Sequence, residues 1–193
     1  MPITLHLAQR PEANELLARS PLAALIGMLL DQQVPMERAF VAPYRLAQRL
    51  GVSRLDAAAI AAHDPKELAA IFATPPSLHR FPGSMAARTQ QLCRRIAEEY
   101  GNDAAAVWRD VSSGAELLAR LSALPGFGRQ KAQIFVALLG KQLGVRPEGW
   151  REAAGAYGEP DVHRSVADVV DDTSLAKVRE HKRRMKAEAR AAR

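Results

Sequence analysis

Cysteine is almost absent from this sequence. Cys93 is the single cysteine, which excludes a disulfide framework and any zinc or iron–sulfur site held by four cysteines of this chain. Long apolar runs are also missing, since none approaches the roughly 20 residues that cross a bilayer. The opening stretch "MPITLHLAQRPEANELL" lacks the basic and then apolar layout of a signal peptide. These absences favour a cytoplasmic protein in a reducing compartment, with no membrane partner.

The apolar residues that are present predict helices. They make up 48% of the 193 residues, enough to build a core, and they recur at helical spacing, as in the stripe of Leu22, Leu25, Ile26, Leu29 and Leu30. N-cap or first-turn residues of helices are predicted at Pro21, Ser53, the pair Asp64-Pro65, Ser84 and Ser113. Only Ile3, Leu5 and Leu7 alternate, which permits at most one brief strand. The pattern predicts an all-α fold of ten or eleven helices.

One segment interrupts the helical pattern. Residues 140–161 read "GKQLGVRPEGWREAAGAYGEPD", with four internal glycines around Trp150 and Tyr157. Such a composition predicts a long ordered loop with about one helical turn.

The positive charge is concentrated at the end of the sequence. Residues 177–193 carry eight Lys or Arg and two Glu, a net charge of +6, which leaves 19 of the 27 basic and 19 of the 21 acidic residues for the rest. A basic tail of this kind favours a polyanion partner. A solvated terminal helix explains the same composition, so the charge alone leaves both interpretations open.

The stretch "LSALPGFGRQKAQIF", residues 121–135, predicts a tight turn between two helices. Pro125 restricts the residue before it to extended geometry, while Gly126 and Gly128 permit positive φ and leave the backbone bare. Because a helix is predicted to begin at Arg129, the N–H groups of the turn form an anion site that fits a DNA phosphate. An ordinary helix–helix turn uses the same residues, and the stretch alone does not separate the two.

The wider context resembles one family. The pattern L-P-G-hydrophobic-G-R with an apolar helix behind it resembles the helix-hairpin-helix of the HhH-GPD superfamily of DNA glycosylases. The segment "LIGMLLDQQVPMERAFVAPYRLAQRLG" is similar to that family's early LLxxQQ helix and the helix after it. Further on, "LHRFPGSMAARTQQLCRRIAEEYG" resembles the segment before the hairpin, and "PDVHRSVADVV" resembles the D-x-H segment after it. The likeness covers about residues 20 to 170 in the family's order, so it is more specific than any single motif.

The resemblance implies a two-lobed helical fold with the helix-hairpin-helix at the lobe junction. It places a helical-barrel lobe at residues 20–120 and a second lobe at 1–19 plus 121–176, which includes the hairpin at 121–140 and the aspartate loop. A basic tail at 177–193 follows. The implied activity is that of a monofunctional glycosylase, which hydrolyses the bond between a damaged or mispaired base and its sugar in double-stranded DNA. We expect a monomer in the cytoplasm, associated with the nucleoid if the source is prokaryotic.

The resemblance also assigns the site residues. Asp161 matches the essential aspartate, and its position after Pro160 predicts a helix N-cap whose dipole keeps the carboxylate ionised. It would stabilise positive charge on the sugar and orient the attacking water. His163 is expected to be structural, because two positions beyond a cap face away from it. The predicted DNA contacts are Gly126, Gly128, Arg129, Gln130, Lys131 and Gln33, with Gln33 filling the gap that an extruded base leaves. Polar residues that end a helix before Pro35 explain Gln32 and Gln33 equally well. The base-pocket candidates are Gln32 and the two aromatic residues of the glycine-rich segment, Trp150 and Tyr157.

Departures from the family's pattern define the alternatives. Bifunctional members carry a lysine where this chain has Gln130, and a rotation of about 100° per residue turns Lys131 away from the pocket that Gln130 faces. Lyase chemistry is therefore the least favoured hypothesis, after a non-catalytic DNA-binding or damage-recognition protein. No cofactor or iron–sulfur cluster is expected, although the resemblance allows for a structural monovalent cation at the hairpin.

Overall fold

The computed structural model describes residues 2–193, and within that range every regular element is a helix. The ten α-helices are α1 (Pro11–Arg19), α2 (Pro21–Leu30), α3 (Met36–Leu50), α4 (Ala57–Ala62), α5 (Pro65–Ala73), α6 (Pro82–Glu99), α7 (Gly114–Ser122), α8 (Arg129–Gln142), α9 (Trp150–Ala154) and α10 (Asp172–Ala191). Three 3₁₀ turns lie at Ala104–Val107, Gly155–Gly158 and Val166–Asp168. The all-α prediction is confirmed, and the alternating residues near the start form irregular chain instead of a strand.

Side-chain caps explain where several helices begin. Ser20 accepts a hydrogen bond from the Ala23 amide at the start of α2, and Asp64 accepts from two amides at the start of α5. Ser113 caps α7 in the same way. The starts predicted at Pro21, Asp64-Pro65 and Ser113 are therefore confirmed, because the capping oxygen replaces a hydrogen bond that the first turn lacks.

One predicted start is wrong. The helix expected at Ser53 begins four residues later, where Asp56 accepts from the Ala59 amide. Ser84 lies in the first turn of a helix, as predicted; that helix begins at Pro82, because proline fits the first helical position without losing a hydrogen bond.

The helices pack as two groups around one continuous core. Helix α1 packs on α2 and α3, and α4 and α5 pack on α6; the second group consists of α7, α8 and α9 with the two later 3₁₀ turns. Helix α2 joins the groups, since it also contacts α6 and α8. Residues 11–19, which the resemblance assigns to the second lobe, contact α2 and α3 of the first group. Helix α7 begins at Gly114, before the predicted lobe boundary at residue 120. The division into lobes stays a prediction.

The glycine-rich segment after α8 is a connection with more helix than predicted. It contains α9 and, directly after it, the 3₁₀ turn at Gly155–Gly158. Gly149 and Gly155 adopt positive φ of 74° and 61° at the two ends of α9, which other residues reach only with strain.

Within residues 2–193, no single helix has both the length and the apolar composition to cross a membrane. Helices α1 and α2 meet these criteria only when taken together, across a bend of 115°.

Candidate nucleic-acid interface

The turn between α7 and α8 is held by its own backbone and by one aromatic ring. The Leu124 amide donates to the Leu121 carbonyl and the Phe127 amide donates to the Leu124 carbonyl, each at 3.1 Å. The Phe127 ring is 3% exposed and meets Phe135 edge to face, with 6.1 Å between ring centroids. Phe127 therefore anchors the turn to α8 from below and leaves the outer side of the turn as bare backbone.

The two glycines of the turn differ in backbone conformation and in the space around their Cα atoms. Gly126 has φ of +80°, and a Cβ atom there would lie 2.2 Å from Leu29 Cδ1 of α2. Gly128 has φ of −68°, and an added Cβ would meet nothing within 4 Å. Of the two glycines that permit positive φ, only Gly126 adopts it, while Gly128 keeps the start of α8 uncovered as predicted.

The start of α8 presents amide groups to the outside. The first backbone hydrogen bond of this helix runs from the Ala132 amide to the Gly128 carbonyl at 3.0 Å, so the amides of the three preceding residues come before it. No side chain in residues 2–193 caps the helix. Gly126, Gly128, Arg129 and Gln130 are exposed. Free N–H groups at the positive end of a helix, beside an exposed guanidinium, form an anion-binding surface.

Lys131 does not join this surface. Its Nζ donates to the Leu29 carbonyl at 2.8 Å and to Gln32 Oε1 at 3.0 Å. Burial lowers the pKa of Lys131 to about 8, while the charge of Asp31 opposes that shift. The predicted phosphate contact by this side chain is wrong in this structure, because the amine is directed inward to the end of α2.

The connection from α2 to α3 is fixed from two sides. His79 is fully buried, and its Nε2 lies 3.1 Å from the Leu30 carbonyl and 2.9 Å from the Gln32 carbonyl. Its Nδ1 accepts from the Phe81 amide, so Nε2 is the donor in the neutral ring. Gln32 is therefore held by both Lys131 and His79, which corrects its prediction as a base-pocket residue.

Gln33 follows this anchor and is exposed. Its φ is +56°, a left-handed conformation that is uncommon for a residue other than glycine, asparagine or aspartate. The structure describes no hydrogen bond from its side chain in residues 2–193. Its position is compatible with the predicted insertion into DNA, which stays a prediction.

Gln130 and Tyr157 line one side of an open depression of about 600 Å³. Gln130 Nε2 donates to the Tyr157 hydroxyl at 2.8 Å. The lining consists of Gln130, Gln133, Ile134, Ala156, Tyr157 and Arg164 with His181, Lys182 and Met185 of α10. None of these residues, all of which the structure describes, is Asp or Glu. The lining is more apolar than polar, and it combines basic side chains with the ring of Tyr157.

Trp150 lies away from that depression. It is 8% exposed, and its ring packs so closely on α8 that a Cβ on Gly140 would lie 2.3 Å from it. The prediction of Trp150 as a base-pocket residue is therefore wrong, because the indole is part of the core between α8 and α9.

Asp161 does not cap a helix. It lies in a turn with φ of +56°, and the next helical element starts only at Val166, where Ser165 is the N-cap. The helix-dipole argument for its ionisation is therefore wrong. Asp161 is exposed, and within residues 2–193 its carboxylate accepts no protein hydrogen bond.

Asp161 borders a second depression of about 250 Å³, which shares no lining residue with the one at Gln130. Basic side chains of Lys141, Arg146 and Arg151 also line it. A free carboxylate in basic surroundings is available for an external ligand, but in this conformation it does not face the hydroxyl of Tyr157 or the amide of Gln130.

The hairpin, the free amides of α8 and the order of the helices agree with one comparison. A family model described as "HhH-GPD superfamily base excision DNA repair protein" matches residues 26–193, which is most of the chain. The chain belongs to the HhH-GPD superfamily. Members of this superfamily are mostly DNA glycosylases, so base excision repair of the glycosylase type and DNA binding follow at that level. A search of curated proteins gave no match.

Some residues of this HhH-GPD site gave no signal in the sequence. His79 lies 47 residues from the carbonyl of Gln32 that it contacts, and periodicity cannot reveal such a pairing. Asp168 is equally unexpected: its carboxylate accepts from Lys141 Nζ at 2.5 Å and from the amides of Arg164 and Ser165. This largely buried pair joins α8 to the segment that follows Asp161.

Among residues 2–193, neither the HhH-GPD hairpin nor any other part has a group of three or more His, Cys, Asp or Glu side chains that could hold a metal ion. A monovalent cation at the turn would be held by backbone carbonyls. Those of Leu121 and Leu124 already accept backbone hydrogen bonds, so they fit such an ion only through their remaining lone pairs.

Proposed function

We propose that this protein is a monofunctional DNA glycosylase that hydrolyses the N-glycosidic bond of a damaged or mispaired base in double-stranded DNA. The observation that carries the proposal is the uncovered start of α8, where bare amides and exposed Arg129 form an anion-binding surface in a chain of the HhH-GPD superfamily. We further propose that it acts as a cytoplasmic monomer without a cofactor.

Asp161 is the carboxylate we assign to the reaction. Its carboxylate is exposed and, within residues 2–193, accepts no protein hydrogen bond, so it is free to meet a ligand. Cleavage of the bond leaves positive charge on the sugar, which a nearby carboxylate stabilises. Because Asp161 and Gln130 border separate depressions, the proposal requires that the turn around Asp161 moves toward the hairpin when DNA binds.

The absence of lyase activity is part of the proposal. A pKa of about 8 would leave a useful fraction of neutral amine on Lys131, which favours a nucleophile. Geometry opposes this role, since the amine donates to Leu29 and Gln32 on the side of α8 away from Tyr157. Borohydride reduction with abasic DNA should therefore trap no covalent adduct, and an adduct that Lys131→Ala removes would refute this part.

The test of the glycosylase proposal is base release from a panel of duplexes with deaminated, alkylated, oxidised and mispaired bases. We expect release from at least one duplex, and we expect Asp161→Asn to lower the rate at least 100-fold while duplex affinity is retained. Asp110→Asn is the matched control, because Asp110 is also an exposed aspartate with φ of +56°. It should leave the rate unchanged, and equal rates in both variants would contradict the role of Asp161.

A second candidate is a damage-recognition protein that binds DNA without cleaving it. The observation in its favour is that no carboxylate lines the depression at Gln130. Tight binding to lesion-bearing duplexes with no base release across the whole panel would support this candidate over the glycosylase.

A further inference from the structure

The end of α2 is the place where the hairpin and the α2–α3 connection meet. A helix leaves its last carbonyl groups without partners inside the helix. Here two of these carbonyls accept hydrogen bonds from one cationic and one neutral side chain outside the helix. Lys131 Nζ donates to the Leu29 carbonyl, and His79 donates to the Leu30 carbonyl. The close approach of Gly126 to the Leu29 side chain adds a second contact between the hairpin and the same turn of α2.

The same two donors also hold the next residues of the chain. Gln32 accepts a hydrogen bond from Lys131 on its side chain and one from His79 on its carbonyl. Gln33, directly after it, is exposed and left-handed. A strained backbone conformation persists only where its surroundings over-determine it, and the bonds to Gln32 are the surroundings that the structure provides.

We propose that Lys131 is a positioning residue, which fixes the α2–α3 connection and thereby sets exposed Gln33 at a constant place relative to the free amides of α8. This inference rests on the proposed DNA binding. The phosphate-binding amides and the exposed side chain of Gln33 then form a single rigid surface, although they lie about 100 residues apart in sequence.

Lys131→Met tests the inference, because it keeps the length of the side chain and removes the donor. The first measurement needs no DNA. The amides of Asp31 and Gln32 donate to the Met28 and Leu30 carbonyls, and we expect them to exchange with deuterium at least tenfold faster in the variant. Unchanged exchange in residues 31–34 would overturn the inference even if the protein bound no DNA.

The second measurement is affinity for a duplex that contains a tetrahydrofuran abasic analogue opposite 2-aminopurine. We expect Lys131→Met to weaken binding roughly tenfold, which is within the coupling range of one hydrogen-bond network, and to reduce the fluorescence change of 2-aminopurine. The dependence of log affinity on log salt should keep its slope. A slope that falls by roughly 0.9 would mean that Lys131 contacts a phosphate, which contradicts the inference.

A double-mutant cycle separates positioning from an independent role. If Lys131 acts through Gln33, then Gln33→Ala should cost little more affinity in the Lys131→Met background, whereas additive costs would overturn the inference. Arg129→Gln is the matched control, because it removes one exposed cation of the same helix. It should reduce the salt slope, and its cost in affinity should add to that of Gln33→Ala.

If Lys131→Met fails to fold, Gln32→Leu removes the side-chain acceptor instead, and the same outcomes apply. Absence of any duplex binding by the wild-type protein would refute the proposed function, while the exchange measurement would still decide the positioning role.

Discussion

At the scale of single residues, the hairpin glycines show how one residue type meets two different requirements. Gly126 is required by its φ of +80° and by Leu29, which leaves no room for a side chain. Gly128 has an ordinary φ and free space around its Cα. The sequence predicts both glycines in a turn. Only the tertiary structure shows that Gly126 is required by its backbone conformation and its neighbour, whereas Gly128 leaves the start of α8 accessible.

This difference predicts unequal effects of alanine. Gly126→Ala should lower the free energy of unfolding by about 2–5 kcal/mol, since a left-handed conformation costs about 1–2 kcal/mol and overpacking about 1–3. Gly128→Ala, the control, should cost less than about 1 kcal/mol, because it removes only a modest N-cap preference. Urea denaturation of both variants measures these values, and equal decreases would contradict the contact with Leu29.

At the scale of elements, α10 is a core helix in its first half and a charged helix in its second. Leu175 and Val178 are 4% and 1% exposed, while no residue after Val178 is buried. Arg179 pairs with Glu37 at the start of α3. The predicted tail boundary at residue 177 therefore cuts through the anchored part, and the unburied basic segment begins later.

Truncation after His181 tests whether that segment contacts DNA. It leaves Val178 and Arg179 in place. The basic residues that it removes are Lys182, Arg183, Arg184, Lys186, Arg190 and Arg193. We expect nearly unchanged thermal stability and a salt slope that falls by roughly 0.9 for each phosphate that the shortened protein no longer neutralises. The double variant Arg54→Gln/Lys66→Gln, which neutralises two exposed residues outside α10, should leave the slope unchanged. An unaltered slope after truncation would mean that the second half of α10 is only solvated.

At the scale of the whole molecule, the two groups of helices meet through polar contacts as well as through the core. Lys131, Gln32 and His79 form this polar junction. Burial is the main cause of the lowered pKa of Lys131 and of the raised pKa of Asp31. Arg88 also lowers the pKa of Lys131. Burial at this junction therefore changes the pKa of both Lys131 and Asp31.

The pKa of Lys131 predicts how stability changes with pH. Its pKa falls from 10.5 to about 8 on folding, so between these values the unfolded chain binds more protons at this site than the folded protein. The free energy of unfolding that depends on Lys131 therefore rises with pH from about 8 to about 10.5 and is constant below that window. The difference in unfolding free energy between the wild type and Lys131→Met should follow this curve, because other groups titrate in both proteins. A difference that is flat above pH 8 would contradict the burial of this amine.

The sequence by itself determined the helical class, most helix starts and the hairpin, because apolar spacing, caps and glycine–proline turns act through neighbours along the chain. The tertiary structure alone decided that Trp150 is core, that Lys131 points into the molecule and that Asp161 lies outside the depression at Gln130. These outcomes depend on partners far away in sequence, such as Gly140 for Trp150 and the end of α2 for Lys131. No local pattern encodes such pairings, because they arise only when separate helices share one core.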